Sequence, residues 1–214
     1  MEKNAAVLMA DLTGYTAMTD VHGGASAAML VSKYMEFVNT ALCGDTQIVQ
    51  RVGDQIVLLA ENPIDALGTA CKLNSLAQAE HNFLSIHAGI HYGPVFIDKG
   101  SLFGSTINVT SRIMNMAEQG QVLCSSTLVD IIEPNAYPFS HLGKFLFKNV
   151  MKEVVIYQLI TDEYRQFFVD PVCRMQIDPE KVSFVYNYRN QVYHFCGSHC
   201  LALFKSNPDA FLPW

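Results

Sequence analysis

The stretch that decides the fold is Ala5-Ala6-Val7-Leu8-Met9-Ala10, followed at once by Asp11-Leu12-Thr13-Gly14-Tyr15-Thr16. Six consecutive apolar residues predict a short strand that is buried on both faces. Asp11 therefore stands at the end of a buried strand. A second aspartate, Asp54, lies in Arg51-Val52-Gly53-Asp54 between two further apolar runs, a pattern that predicts a tight hairpin. Side by side, the two carboxylates would form an oxygen-rich site of the kind that Mg²⁺ and Mn²⁺ prefer.

Outward from this stretch, periods typical of strands and helices alternate along the chain. They predict strands at 5–10, 47–52, 55–60, 85–91, 121–124, 139–147 and 154–159, and helices at 25–42, 63–78, 105–117 and 126–131. Gly93-Pro94 is expected to end the fourth strand. The order strand–helix–strand–strand–helix–strand predicts an α+β fold of the ferredoxin-like kind, an antiparallel-rich sheet with helices on one face.

A third polar motif follows in Phe103-Gly104-Ser105-Thr106-Ile107-Asn108-Val109-Thr110-Ser111-Arg112. Asn108 and Arg112 are four residues apart, so a helix places both on one face.

Four features of this chain follow one another in an order and spacing that resembles the class III nucleotidyl cyclases. They are Asp11, Asp54, the segment 88–95 and the helix with Asn108 and Arg112. The resemblance covers residues 5 to about 160. It implies the cyclase fold and an enzyme that converts ATP, or less readily GTP, to a cyclic nucleotide and pyrophosphate for signalling.

By this resemblance, Asp11 and Asp54 hold two Mg²⁺ or Mn²⁺ ions per site. Asn108 orients the ribose, and Arg112 stabilises charge on the α-phosphate. In the family the aspartates come from one subunit and the Asn/Arg pair from the other, which implies a homodimer with two shared sites.

Base recognition departs from the family pattern. Where adenylate cyclases usually have a lysine, three residues before the Gly-Asp pair, this chain has Gln50, and Ser101 stands where Asp or Thr is usual. A glutamine amide both donates and accepts hydrogen bonds, which favours adenine and leaves guanine open. Lys148 matches a lysine that meets the triphosphate, although Asn149 replaces the glycine that usually follows.

The alternative function is a catalytically degenerate cyclase fold that serves as a dimerisation or nucleotide-binding module for a metal sensor. His87 and His91 are interpreted as structural.

The C-terminal part has a different composition, rich in tyrosine, phenylalanine and cysteine. Asp170-Pro171-Val172-Cys173-x-Met175, with Cys196 and Cys200 further on, looks like a YHS domain. We therefore expect a cyclase domain over residues 1–161 and a YHS-like domain over 168–214, with the boundary in 161–168.

Three clustered thiols, Cys173, Cys196 and Cys200, suit Zn²⁺ or Cu⁺. A metal staple would help so small a module to fold. The pattern leaves the fourth ligand open, and the candidates are Asp170, His194 and His199. A metal-free aromatic mini-core is the alternative. If metal is bound, its presence or the redox state of the thiols is expected to regulate the cyclase.

Composition sets the remaining expectations. The net charge is −6, and Lys and Arg form no cluster, which argues against a nucleic-acid or anionic-membrane surface. The apolar runs stop short of the roughly 18 residues that span a bilayer, and the N-terminal run is too short for a signal peptide. We therefore expect a cytoplasmic protein with no membrane partner, with Cys43, Cys71 and Cys124 as small core residues.

Overall fold

A computed structural model describes residues 2–98, 101–161 and 167–212. Most of the predicted domain boundary, 162–166, lies outside the described residues. In chain order the elements are β1 (Glu2–Leu12), α1 (Tyr15–Ala41), β2 (Gln47–Val52), β3 (Gln55–Ala60), α2 (Pro63–Ala79), β4 (Ile86–Asp98), β5 (Ser101–Phe103), α3 (Ser105–Met116), β6 (Val122–Ser125), α4 (Ser126–Val129), β7 (Phe139–Phe145), β8 (Val154–Leu159), β9 (Phe168–Val169), β10 (Gln176–Ile177), β11 (Phe184–Tyr188), β12 (Gln191–Phe195) and α5 (Ser198–Ser206).

The central strand of the main sheet is β1, which pairs antiparallel with β3 on one side and β4 on the other. The segment Ala5–Ala10 is buried throughout, as its uninterrupted apolar run predicts. With β2 outside β3, the order β2-β3-β1-β4 is the ferredoxin-like arrangement. The sheet then continues through β6, which is parallel to β4, to β8 and β7. The predicted α+β fold of the ferredoxin-like kind is confirmed.

One detail of that prediction is wrong, because the helices do not all lie on one face. Leu8 and Ala10 pack with α1 and α2 in the largest core cluster, whereas Val7 and Met9 pack with α3 on the opposite face. A glycine allows this approach: a Cβ atom at Gly89 would lie 2.4 Å from the backbone nitrogen of Met114. The helix α3 therefore lies directly against β4.

Two element boundaries also differ from the sequence prediction. The helix α1 begins at Tyr15, but the backbone of Gly23 is not helical (φ 78°, ψ 167°) and divides it. The part after the glycine pair corresponds to the helix predicted at 25–42, and the helical turns before Gly23 were not predicted. The strand β4 continues through Gly93-Pro94 to Asp98 and is paired with β1 from Ile86 to Phe96. Within the described parts of the chain, its other side has no strand partner between Ile90 and Phe96, so Pro94 sits at a locally open edge, where a missing N–H is tolerated.

The C-terminal module consists of two short hairpins, β9/β10 and β11/β12, followed by α5. Its core is built around Phe204, which is fully buried and packs against Phe195, Tyr193 and other rings. Among the described residues, no helix is long and apolar enough to cross a membrane.

One contact between the module and the rest of the chain is made by the buried Gln176. Its backbone N–H donates to the Phe83 carbonyl at 2.8 Å, and its carbonyl accepts from Asn82 at 3.0 Å. Its side-chain amide donates to the Ala77 carbonyl at 3.3 Å. The module thus extends the backbone hydrogen bonding of the segment that follows α2.

Candidate active site and thiol cluster

Asp11 and Asp54 lie together, as their positions at a strand end and in a hairpin predict. Asp54 is half-buried, and its pKa is raised to about 7, first by burial and then by its hydrogen bond to Asp11 and the charge of that residue. The backbone N–H groups of Leu12 and Asp54 act in the opposite direction. The two carboxylates are therefore in direct contact in a partly dehydrated place.

Among the described residues, no lysine or arginine contributes to the pKa shift of Asp54. The phenol of Tyr34 is fully buried, and its hydroxyl has no hydrogen-bond partner within the described parts of the chain. Burial and the charges of Asp11 and Asp54 raise the pKa of this phenol. Burial lowers the pKa of His87, although the charge of Asp54 opposes that effect, and His87 Nδ1 lies 3.0 Å from Thr13 Oγ1. Two touching carboxylates with no neutralising side chain fit a divalent metal ion.

Asn108 and Arg112 are both exposed on the outer face of α3. The opposite face of the helix is fixed by the buried Val109 and Ile113. At the start of the helix, Thr106 Oγ1 donates to the Pro94 carbonyl at 2.7 Å. The predicted four-residue spacing on one helix face is thus present on a firmly packed helix.

A cleft of about 230 Å³ brings Gln50 and Asn108 together. The residues that line it are Met9, Gln50, Val52, Gln55, Val57, Leu102, Ile107, Asn108 and Ser111. Ser101 is exposed, next to the lining residue Leu102. Neither Asp11 nor Asp54 lines the cleft, so the carboxylate pair and the Gln50/Asn108 cleft are separate features of one chain.

Lys148 is exposed in the connection after β7, and the next residue, Asn149, has a positive φ of 64°. Asparagine tolerates this left-handed conformation better than most residues, so it can stand where the family usually has glycine. His91 faces a different environment. Its Nδ1 lies 2.7 Å from Ser125 Oγ, and burial lowers its pKa to about 4.

The three C-terminal thiols meet in one place, as predicted from their spacing. Cys196 Sγ lies 3.5 Å from the sulfur atoms of both Cys173 and Cys200. The pKa of the Cys196 thiol is raised, first by its contact with Cys173 and then by burial. None of the six cysteines is in a disulfide. Of the three predicted core cysteines outside this cluster, Cys124 is fully buried, whereas Cys43 and Cys71 are partly exposed.

The residue that completes the cluster is His22 of α1, which the sequence prediction missed. Its Nε2 lies 3.6 Å from Cys200 Sγ and 3.7 Å from Cys196 Sγ. The three residues proposed from the sequence have other surroundings. Asp170 accepts hydrogen bonds from backbone N–H groups with both carboxylate oxygens. The ring of His194 stacks on that of Phe168 with 3.6 Å between the ring centroids, and His199 is exposed. No local sequence signal identifies His22 as a partner of these thiols.

The comparisons with known proteins agree with this architecture. The sequence model described as the adenylate and guanylate cyclase catalytic domain matches residues 1–161, most of the chain. The chain therefore belongs to the adenylate and guanylate cyclase catalytic domain family. The model of the YHS domain matches residues 168–213, which confirms the predicted order of a cyclase part followed by a YHS part.

Individual relatives are distant. A pH-sensitive adenylate cyclase of Mycobacterium tuberculosis is 24% identical over 161 residues, which cover 73% of this chain and 41% of that protein. An adenylate cyclase of Glutamicibacter nicotianae is 24% identical over 61% of this chain and 33% of that protein. The chain thus spans about two fifths or less of these relatives' length.

Among solved structures, the adenylyl cyclase CyaB from P. aeruginosa superposes with a TM-score of 0.65 at 18% identity, covering 78% of this chain and 98% of that chain. An adenylate/guanylate cyclase/hydrolase from Silicibacter pomeroyi gives a TM-score of 0.64 at 22% identity, covering 76% and 99%. At this level of identity the likeness concerns the fold.

Proposed function

We propose that the chain is a homodimeric nucleotidyl cyclase that converts ATP to a cyclic nucleotide and pyrophosphate. It is organised as a catalytic domain over residues 1–161 and a regulatory YHS domain over 168–214. The observation that carries the proposal is the hydrogen bond between Asp11 and Asp54, which acts after burial, the larger cause, to raise the pKa of Asp54 to about 7. The six cysteines, none of them in a disulfide, suit a reducing compartment such as the cytoplasm.

In the reaction, the ribose 3′-oxygen loses its proton and bonds to the α-phosphorus, while the bond from that phosphorus to the β-phosphate breaks. Asp11 and Asp54 would hold two Mg²⁺ or Mn²⁺ ions, which supply charge neutralisation and a lowered pKa of the 3′-hydroxyl when bound. Arg112 stabilises the charge that develops on the α-phosphate, and Asn108 fixes the ribose. Lys148 meets the triphosphate tail.

Gln50 recognises the base edge from the cleft that it shares with Asn108. Its amide can accept from the adenine amino group and donate to a ring nitrogen. The named relatives are adenylate cyclases, which favours ATP over GTP. Ser101, next to the cleft residue Leu102, supports the base from the neighbouring strand.

The separation of the two features within one chain supports a shared site. A two-fold dimer would place the carboxylates of one protomer opposite the Gln50/Asn108 cleft of its partner. Phe96 and Phe103 pair across β4 and β5 and expose 48% and 52% of their surface, which suits an interface.

Mixing two inactive variants tests the shared site. Asp11→Ala lacks a metal ligand and Arg112→Ala lacks charge stabilisation, so each is expected to be nearly inactive alone. After proven subunit exchange, about half of the dimers are mixed, and each mixed dimer has one intact site. Cyclic product should therefore recover to about one quarter of the parent rate.

The matched control mixes Asp11→Ala with Asp54→Ala, for which every site keeps a lesion and no recovery is expected. Absence of recovery in the first mixture would refute the shared site. A parent that makes no cyclic product from ATP or GTP with Mn²⁺ would leave the degenerate, nucleotide-binding fold as the function.

A further inference from the structure

The thiol cluster and His22 have the dimensions of a four-ligand metal site. The ligand atoms of His22, Cys173, Cys196 and Cys200 all lie within 4.8 Å of one another. With Zn–S near 2.3 Å and Zn–N near 2.0 Å, a tetrahedron has S···S edges of about 3.8 Å and S···N edges of about 3.5 Å. The observed S···S distances of 3.5 Å and S···N distances of 3.6 and 3.7 Å are close to these edges.

The same distances disagree with a disulfide. A disulfide needs an S–S separation near 2.05 Å, well below the observed 3.5 Å. Three sulfur atoms and a ring nitrogen that converge without covalent bonding form a donor set typical of structural zinc sites.

A buried carboxylate fixes the two loops that carry the sulfur ligands. Asp170 is fully buried, and its Oδ1 accepts from the N–H groups of Val172 at 2.8 Å and Cys173 at 3.3 Å. Its Oδ2 accepts from the N–H of Cys196 at 2.8 Å. One side chain therefore sets the separation of two ligands that lie 23 residues apart.

His22 comes from a different part of the chain, 174 residues before Cys196. It is held in place because Val21 packs into the aromatic core of the C-terminal module and because α1 bends at Gly23, directly after the ligand. The cluster therefore joins the helix that follows the Asp11 loop to the C-terminal module.

We propose that His22, Cys173, Cys196 and Cys200 bind one Zn²⁺ ion that ties the YHS-like module to α1 of the cyclase part. Binding replaces the three thiol protons, which go to solvent, and uses the neutral imidazole of His22. Resting on the proposed function, the same ion regulates catalysis, because α1 begins three residues after Leu12 and the ion fixes its first two turns.

Zinc content and ligand identity test the site without any reference to cyclase activity. The full chain should bind one Zn²⁺ by elemental analysis, and its zinc X-ray absorption should show three sulfur neighbours and one imidazole. His22→Ala should weaken Zn²⁺ binding by at least roughly tenfold in competition with a chelator, which is the lower end for losing even an outer partner. His199→Ala is the matched control, since its ring lies only 6.4 Å from that of His22 and is exposed, and it should leave affinity and spectrum unchanged.

Equal Zn²⁺ affinity in His22→Ala and the parent, or a parent that binds no zinc, would overturn the site. If His22→Ala does not fold, the absorption spectrum of zinc-loaded His199→Ala decides, because loss of the imidazole signal there would assign the ligand to His199 instead. A parent with bound zinc but no cyclase activity would leave this site standing and remove only the proposed function and its regulation.

Discussion

Acid should destabilise this protein through one buried histidine, His91 on β4. The ring lies 2.7 Å from Ser125 Oγ, and burial lowers its pKa from 6.5 to about 4. The folded state therefore keeps the ring neutral at a pH where the unfolded chain already binds a proton. Stability from this group is fully present above pH 6.5 and is lost as the pH falls toward 4.

The size of the effect follows from the two pKa values. At 1.36 kcal/mol per pKa unit, the unfolded state gains about 2 kcal/mol relative to the folded state by pH 5 and about 3 kcal/mol by pH 4. Other acid-sensitive groups contribute equally to the parent and to each variant, so a difference between them isolates His91.

Urea unfolding followed by circular dichroism between pH 7.5 and pH 4 measures the effect by difference. His91→Gln removes the titrating ring, so its stability should fall less steeply with acid than that of the parent, by about 2 kcal/mol at pH 5. His141→Gln changes an exposed histidine on β7 and should follow the parent. Parallel curves for the parent and His91→Gln would refute the reasoning.

Two glycine substitutions should report on close packing. Gly14→Ala should lower the free energy of unfolding by about 1–2 kcal/mol, because Gly14 has a φ of 89°. It should also loosen the C-terminal module, because the new Cβ would lie 2.4 Å from Arg174 Cβ. Unchanged susceptibility of the module to protease would contradict this second effect. Gly89→Ala should lower the free energy of unfolding in urea by about 1–3 kcal/mol and lower activity, because it displaces α3. Gly24→Ala is the control and should change neither, since a Cβ there meets nothing within 4 Å. An equal response of the two variants would argue against the packing of α3 on β4.

The parts of this fold that sequence reasoning predicted are those decided by neighbouring residues. The apolar run before Asp11 makes a strand buried on both faces, and a Gly-Asp turn between apolar runs makes a hairpin, so the carboxylates could be located from local pattern alone. The Asn108/Arg112 helix was equally local. The roles of these residues stay predictions.

The parts that it missed depend on distant partners. Pro94 ends many strands, but pairing with β1 carries β4 past it. The glycine pair does mark a break in α1 at Gly23, but the helical turns before it were missed, and their Val21 packs against the C-terminal module. His22 could not be recognised as a thiol partner, because nothing in its neighbours points to cysteines more than 150 residues away.

His22 and Gln176 both connect the C-terminal module to the rest of the chain, which limits how the module can be moved to another protein. Residues 168–213 match a family that stands as a unit in sequence, yet here that stretch relies on an imidazole from α1 and on backbone partners at Asn82 and Phe83. A chimaera that attaches only this stretch to another enzyme would lack one donor of its cluster and the acceptor for its edge strand. Transplanting it with these contacts intact would require moving the turn around His22 and the segment after α2 with it.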